Sequence, residues 1–586
     1  MRRVILSSAV CVSLAAATLA ATQTASADPA TSVAPGEVES YVVLYEPGAT
    51  DALALPSIAE AGGRVVSSSS GAGYAVVESA VADFAERAAR SDVLVGATLD
   101  RSIGTAPQVR LRSAAEDART GDGHVEAATD AERAEAAAIR DVVRDVDEAP
   151  GAEPLAALQW DMAAIGATPE GSYATQRGSK QVTVGIIDTG VDGTHPDIAP
   201  NFDAENSRNF VTDDPVVDGE CEAEDCVDPV DADDNGHGTH VASTIGSPAN
   251  DLGIAGVAPD VNLVNLRAGA DSGYFFLQPT LDAITYAADS GVDVINMSFY
   301  VDPWMFNCAA NPADSPAEQQ QQRLTVAAVQ RAIDYARSKG VLPVAAAGNS
   351  ALDLAVPGVD TGSPNFPVDE EGNPTGARER TLDNATCLTM PAEADGVVTV
   401  TSTGPSGRKS YFSNYGTEQA DVAAPGGDTY DTPNQRLNPT GGILAAYPEA
   451  LVRAEGSLDE DDEIIDPYVV RDCGDSGSTE DCAYFRYLQG TSMAAPHAAG
   501  VAALIVAEHG VEDPLRPGTL TLDPAVTESI LLREATDTPC PVPAEFTYRR
   551  WSATAGELLS TATCTGPADR NGFYGDGLVD AAAVGS

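Results

Sequence analysis

The chain has 586 residues, with 88 Asp and Glu against 33 Lys and Arg and a formal net charge of −55. That length accommodates more than one domain with a full core. The acidic balance argues against nucleic acid and anionic membrane surfaces as partners, because both need basic patches, and it fits a protein kept soluble in an external medium.

Arg2 and Arg3 precede an apolar run from Val4 to about Ala21, and Ala25-Ser26-Ala27 follows as a small-residue cleavage site. Residues 1–27 therefore read as a secretory signal, and the protein as secreted. The run is too diluted with Ala, Ser and Thr for a membrane anchor. Setting Cys11 aside leaves eight cysteines, an even number that suits export. Eight cysteines allow 105 pairings. Proximity favours Cys221–Cys226, Cys473–Cys482 and Cys540–Cys564, which leaves Cys308–Cys387. A zinc site would need Cys-x-x-Cys spacing and a nearby His.

Residues 28–104 follow the signal, and within them residues 40–104 read as a small unit of order β-α-β-β-α-β. Tyr41–Tyr45 is a strand, 50–61 a helix, Arg64–Val66 and Gly73–Val77 strands, 79–90 a helix, and Val93–Val95 the start of a last strand. That order matches a ferredoxin-like split unit. Residues 105–150 are rich in Ala, Glu, Asp and Arg and read as a linker.

From 151 to 586 short apolar strands alternate with helical stretches. The strands are 181–187, 261–266, 292–297 and 341–346, and the helices about 237–247, 280–290 and 318–339. Alternation of this kind predicts an α/β domain with a parallel sheet covered by helices on both faces. Ligands then bind beyond the carboxyl ends of the strands.

Three stretches carry chemistry, in a fixed order. Asp188 ends the strand Val184-Gly-Ile-Ile187 and precedes Thr189-Gly190. A carboxylate there can fix the tautomer of an imidazole. An aspartic-protease pair would need a second such motif; Asp360-Thr-Gly362 exists, but no apolar strand precedes it. His237 stands between glycines in Asn235-Gly-His-Gly-Thr-His240, which leaves its ring accessible. His240 reads as structural. Ser492 follows Gly490-Thr491 and opens a helical run to His509, so its Oγ meets outward-pointing N–H groups that can hold an oxyanion. Asn349, after Ala345-Ala-Ala-Gly348, emerges at the carboxyl edge of the sheet and can donate to the same oxyanion.

With these motifs the chain resembles the subtilisin family of serine endopeptidases over roughly residues 155–586. The order Asp, His, Ser and the asparagine donor are known features of that family. The resemblance implies a subtilisin-like three-layer catalytic domain preceded by a ferredoxin-like α+β prodomain, a propeptide that chaperones and inhibits. It implies that Asp188 orients, His237 is base and then acid, Ser492 attacks, and Asn349 with the Ser492 N–H holds the oxyanion. The expected product is a secreted, self-processing, monomeric endopeptidase acting on polypeptides. A tripeptidyl peptidase of the same fold and a catalytically silent peptide-binding scaffold are the alternatives.

Ala346-Ala347-Gly348 would line one wall of the specificity pocket, and Ser298-Phe299-Tyr300 the other. The family usually has Leu-Gly-Gly after the serine; here Phe299-Tyr300-Val301 follow. An insertion at about 302–320, with Trp304, Phe306 and Cys308, is expected to roof the cleft. The resemblance also implies structural Ca²⁺ near Asp197, Asn250, Leu252 and Ile254, though the family's N-terminal Gln ligand has no clear match. The acidic runs Asp231–Asp234 and Asp459–Glu463 read as solvated loops.

Overall fold

The computed structural model describes residues 38–100, 152–215, 217–223, 225–365, 376–474, 482–552 and 556–585. The expected signal (1–27) and the whole of the linker (105–150) lie outside the described residues.

The larger, seven-stranded sheet is parallel throughout. Its strands are β5 (Thr183–Ile187), β6 (Arg208–Asn209), β7 (Asn262–Arg267), β8 (Val294–Met297), β9 (Leu342–Ala346), β10 (Val398–Thr403) and β11 (Val422–Pro425). They lie in the order β11-β10-β9-β8-β5-β7-β6. Side chains alternate between two cores. Val184, Ile186, Leu263, Val294 and Val344 enter one core, and Ile187, Val264, Leu266, Ile295 and Met297 enter the other. This period-two split is what a sheet covered on both faces requires.

Helices α3 (His237–Gly246) and α6 (Thr491–His509) cover the first face; α4 (Leu277–Ser290) and α5 (Pro316–Ser338) cover the second. The small residues of α6 are buried from Thr491 to Val506, so the helix runs through the core rather than along the surface. From β5 the chain turns one way, through α3 to β7; from β8 it turns the other way, to β9. The crevice beyond β5 and β8 is therefore a topological switch point.

Upstream, β1 (Glu39–Tyr45), α1 (Asp51–Ala61), β2 (Arg64–Ser69), β3 (Tyr74–Ser79), α2 (Phe84–Ala88) and β4 (Leu94–Leu99) make a separate antiparallel sheet of order β2-β3-β1-β4. One face of that sheet packs Val42, Leu44 and Val76 into the core that holds Leu281, Leu324 and Ala328 of α4 and α5. Polar contacts frame this seam. Tyr74 donates to Asp282 Oδ1 at 2.6 Å, Gln278 N to Asp100 Oδ1 at 2.6 Å, and Arg331 to the Tyr45 carbonyl at 2.6 Å.

All four expected disulfides are formed: Cys221–Cys226, Cys308–Cys387, Cys473–Cys482 and Cys540–Cys564. Among the described residues no helix is long and apolar enough to cross a membrane.

Candidate active site

Asp188 follows β5 directly and is fully buried. Its Oδ1 accepts from Thr189 N at 2.8 Å and lies 2.7 Å from Nδ1 of His237. The carboxylate accepts, so Nδ1 carries the proton and Nε2 is left as the basic nitrogen. His237 is the first residue of α3. A glycine must follow it: a Cβ on Gly238 would sit 2.0 Å from the Gly190 carbonyl oxygen, so any side chain there would push the helix off the strand end.

The acidic run 231–234 is not wholly solvated, contrary to expectation. Asp233 is buried and caps α3. It accepts from Gly236 N and Thr239 N, each at 2.9 Å, and from Thr239 Oγ1 at 2.6 Å, and it also holds Thr189 Oγ1 at 3.1 Å. One carboxylate thus fixes both the helix bearing His237 and the turn bearing Asp188. The run 459–463 is exposed, as expected.

Ser492 is the second residue of α6. Its Oγ donates to the Ser298 carbonyl at 3.1 Å, and Ser298 Oγ returns a bond to the Ser492 carbonyl at 2.9 Å. Asn349 sits in the turn after β9. Thr491 N and Oγ1 donate to its Oδ1 at 2.9 and 2.8 Å. A Cβ placed on Gly490 would lie 3.5 Å from both Asn349 Nδ2 and Ser492 N, so these two donors flank one small space. Sequence reasoning missed Thr491 and Asp233; their partners are remote in sequence, and only the Thr beside the serine offered a local signal.

His195, His240 and His497 make structural contacts, each ring directed at backbone or carboxylate groups of the core. His240 is buried, and its Nε2 donates to the carbonyls of Ile443 and Arg486 at 3.0 and 3.1 Å; burial pushes its pKa down to about 3. Asp360 does not face Asp188. It pairs with the buried guanidinium of Arg380 at 2.7 Å.

A pocket opens beside Ser492 and Asn349 between the ends of β8 and β9. Of the six residues expected at the pocket walls, Ser298, Phe299, Tyr300, Ala346 and Gly348 line it. Ala347 does not; it lies buried behind, its N–H on the Val400 carbonyl. Trp304 and Phe306 of the insertion are 1% exposed, packed into the protein rather than laid over the cleft, while Met305 between them reaches the pocket.

The four expected metal residues also come together. Ile254 N donates to Asp197 Oδ2 at 3.2 Å, and Leu252 N to Asn250 Oδ1 at 3.1 Å. Two further carboxylates join them. Glu153 Oε2 accepts from Leu252 N at 3.0 Å, and Asp472 Oδ2 from Gly253 N at 2.7 Å. Asp197 Oδ1 is buried without a hydrogen-bond partner among the described residues. Burial first, then the charges of Glu153 and Asp472, hold the Asp197 carboxyl well above the usual carboxylate range. An orphaned oxygen amid excess negative charge fits a hard cation. A second acidic group, Asp213, Asp228 and Asp271, is centred instead on the buried Arg267, which pairs with all three.

This fold and this Asp–His–Ser arrangement define a serine-type peptidase. A family model described as the subtilase family matches residues 179–548, and the chain belongs to that family. It is 29% identical over 338 residues to a thermophilic serine proteinase of Bacillus sp. (strain AK1), a match spanning 58% of this chain and 55% of that protein. The chain thus spans about half the length of that relative. It is 28% identical over 328 residues to Subtilisin DY of Bacillus licheniformis, covering 56% of this chain and 77% of that one. Among solved structures, the epidermin leader peptide processing serine protease of Staphylococcus aureus aligns with a TM-score of 0.56 at 20% identity, over 94% of this chain and 98% of that chain. At that identity the likeness concerns the fold alone.

Proposed function

We propose that the protein is a secreted serine endopeptidase that matures by cutting its own precursor. The observation that carries this reading is the 2.7 Å contact of Asp188 Oδ1 with His237 Nδ1, at a switch point that also holds Ser492 and Asn349. In the cycle, the Ser492 hydroxyl turns from the Ser298 carbonyl toward His237 Nε2. His237 takes its proton as Oγ attacks the scissile carbonyl carbon. The oxyanion settles between Asn349 Nδ2 and Ser492 N. His237 then returns the proton to the leaving amine, and water repeats the sequence on the acyl-enzyme. Asp188 stabilises the imidazolium and holds its tautomer.

Residues 28–104 are read as the propeptide. The order of its elements and sheet supports a ferredoxin-like inhibitor domain, and the seam on α4 and α5 supports a chaperone role. Cleavage then falls between Gly104 and Gly151. Asp197, Asn250 and Glu153, with the carbonyls of Leu252 and Ile254, would hold Ca²⁺. Bound there, the ion neutralises buried charge and ties three segments together without entering the chemistry.

A covalent serine-directed probe should label the wild type at Ser492. Ser492→Ala should be secreted as uncut precursor from a host that lacks proteases. Maturation of that variant would exclude self-processing, and an unlabelled wild type would exclude the catalytic reading. N-terminally acetylated peptides should be cut; failure on these alone would turn the assignment to the tripeptidyl alternative.

A further inference from the structure

The wall of the pocket beside Ser492 holds a buried hydroxyl that lacks a partner among the described residues. Thr389 is 3% exposed, lines the pocket, and its Oγ1 has no hydrogen-bond partner among the described residues. The other polar side chains near it are engaged. Asn414 Oδ1 accepts from Ser350 N at 3.1 Å and Leu352 N at 3.0 Å, and its Nδ2 donates to the Ala347 carbonyl at 2.9 Å. Ser350 Oγ donates to Met305 Sδ at 3.1 Å. Among the described residues no carboxylate, amine or guanidinium lines the pocket.

Met305 and Thr389 are brought to the pocket by one device. The Asn307–Cys308 strand pairs antiparallel with Cys387–Leu388, in register Cys387↔Cys308 and Leu388↔Asn307, and the two cysteines are bonded. Met305 lies just before one strand and Thr389 just after the other, so both leave the same end of this ladder. Met305 is held on each side by a buried aromatic. Trp304 lies beneath the guanidinium of Arg380, 4.7 Å from its ring centre, and Met305 N donates to Ser363 Oγ at 3.0 Å. Thr389 N donates to Glu393 Oε2 at 2.8 Å.

We propose that Thr389 and Met305 set the side-chain preference of the peptidase, and that the pocket takes an uncharged residue with an amide tip, glutamine or asparagine, ahead of methionine or leucine. This rests on the reading of Ser492 as nucleophile, which places the residue on the acyl side of the scissile bond in this pocket. The physical ground is the unpaired hydroxyl. A buried hydroxyl without a partner is unfavourable, and a hydroxyl can both donate to an amide carbonyl and accept from an amide N–H. A side chain that meets it restores the lost bond; an apolar one of the same length leaves it stranded, and such sites discriminate strongly. Burying a lysine, arginine or glutamate against a lining of uncharged side chains would strand a charge. The Met305 thioether limits depth.

The experiment uses the mature protein and N-acetylated fluorogenic peptides differing only at that residue: Gln, Met, Asn, Leu, Phe, Lys and Glu. Active enzyme is counted by titration with the serine-directed probe. The wild type should show kcat/KM for Gln over Met, and for Asn over Leu, of about tenfold or more, with Lys and Glu poorest. Thr389→Val should bring both ratios to about one, and Thr389→Ser should restore them. Met305→Ala should raise Phe relative to Leu, and it supplies an independent readout should Thr389→Val fail to fold. Wild-type ratios near one, ratios unmoved in Thr389→Val, or ready cleavage after Lys or Glu would overturn the inference. Those outcomes, seen in enzyme that still titrates with the probe, leave the catalytic assignment standing. Absence of both labelling and cleavage in the wild type would instead remove that assignment.

Discussion

Thr491 grips Asn349 twice at a single atom: its N and Oγ1 both donate to Oδ1 of the amide, at 2.9 and 2.8 Å. The same hydroxyl accepts from Gly348 N at 3.0 Å. With Oδ1 occupied, the amide presents Nδ2 on its other side, next to the backbone N–H of Ser492. In its proposed oxyanion role the donor is thereby oriented before substrate arrives, and no reorganisation is needed as charge develops.

Asn349→Leu should therefore lower kcat by about 10²–10³ with little change in KM, because the lost bond forms mainly in the transition state. That range comes from subtilisin itself, so the magnitude is the family's rather than this chain's. Thr491→Val keeps the backbone donor and loses the hydroxyl, and should cost less. Steady-state kinetics on one peptide decide it. An equal rise in KM would show that Asn349 binds the ground state as well.

The three motif residues were legible because each closes a local pattern: an apolar strand before Asp188, glycines around His237, a small-residue helix after Ser492. The residues that position them carried no such pattern. Asp233 sits in an acidic run, and its role depends on Thr189, 44 positions earlier. Thr389 matters through a pocket built from distant segments. Three strands of the parallel sheet were also missed: Arg208–Asn209, Val398–Thr403 and Val422–Pro425. Val398–Thr403 alternates Val with Thr and Ser yet is buried throughout, because Thr399 and Thr401 spend their hydroxyls on the carbonyls of Ala392 and Phe573, at 2.6 and 2.7 Å. Polarity in sequence there reports satisfied hydrogen bonds, not exposure.

Chelation should lower the melting temperature while leaving labelling of Ser492 intact at low temperature. A cation at a hundred times its dissociation constant stabilises by about 2.7 kcal/mol. Glu153→Gln and Asp472→Asn should each raise the Ca²⁺ concentration needed to restore the melting point, Glu153→Gln more. Differential scanning calorimetry at several Ca²⁺ concentrations reads this directly. A melting point indifferent to chelator and Ca²⁺ would remove the site.

Glu393 links pH to the substrate pocket. Burial raises its pKa from 4.5 to about 7, against the opposing hydrogen bond from Thr389 N. A raised carboxyl pKa means that the fold favours the protonated form. Its contribution is complete below about 4.5 and is lost as pH climbs through about 7. Glu393→Gln keeps an acceptor for Thr389 and cannot ionise. Its urea midpoint relative to wild type should therefore rise between pH 4.5 and pH 8. A difference constant over that span would place the titration elsewhere.

The helix that carries Ser492 is anchored from behind. His497, five residues after Ser492, directs Nδ1 at the Met493 carbonyl at 2.8 Å and Nε2 at Asp161 Oδ2 at 3.0 Å, with both side chains fully buried. Both ring nitrogens thus face buried acceptors, one a backbone carbonyl and the other a carboxylate. Removing one partner strands the other, so Asp161→Ala should cost about 3–5 kcal/mol. Removing both leaves an apolar gap but no stranded charge. The double variant with His497→Ala should thus lose clearly less than the two single losses together. Urea unfolding of all four forms measures the coupling. Simple additivity would mean that the two groups stabilise the fold independently, and that the helix carrying Ser492 is held by packing alone.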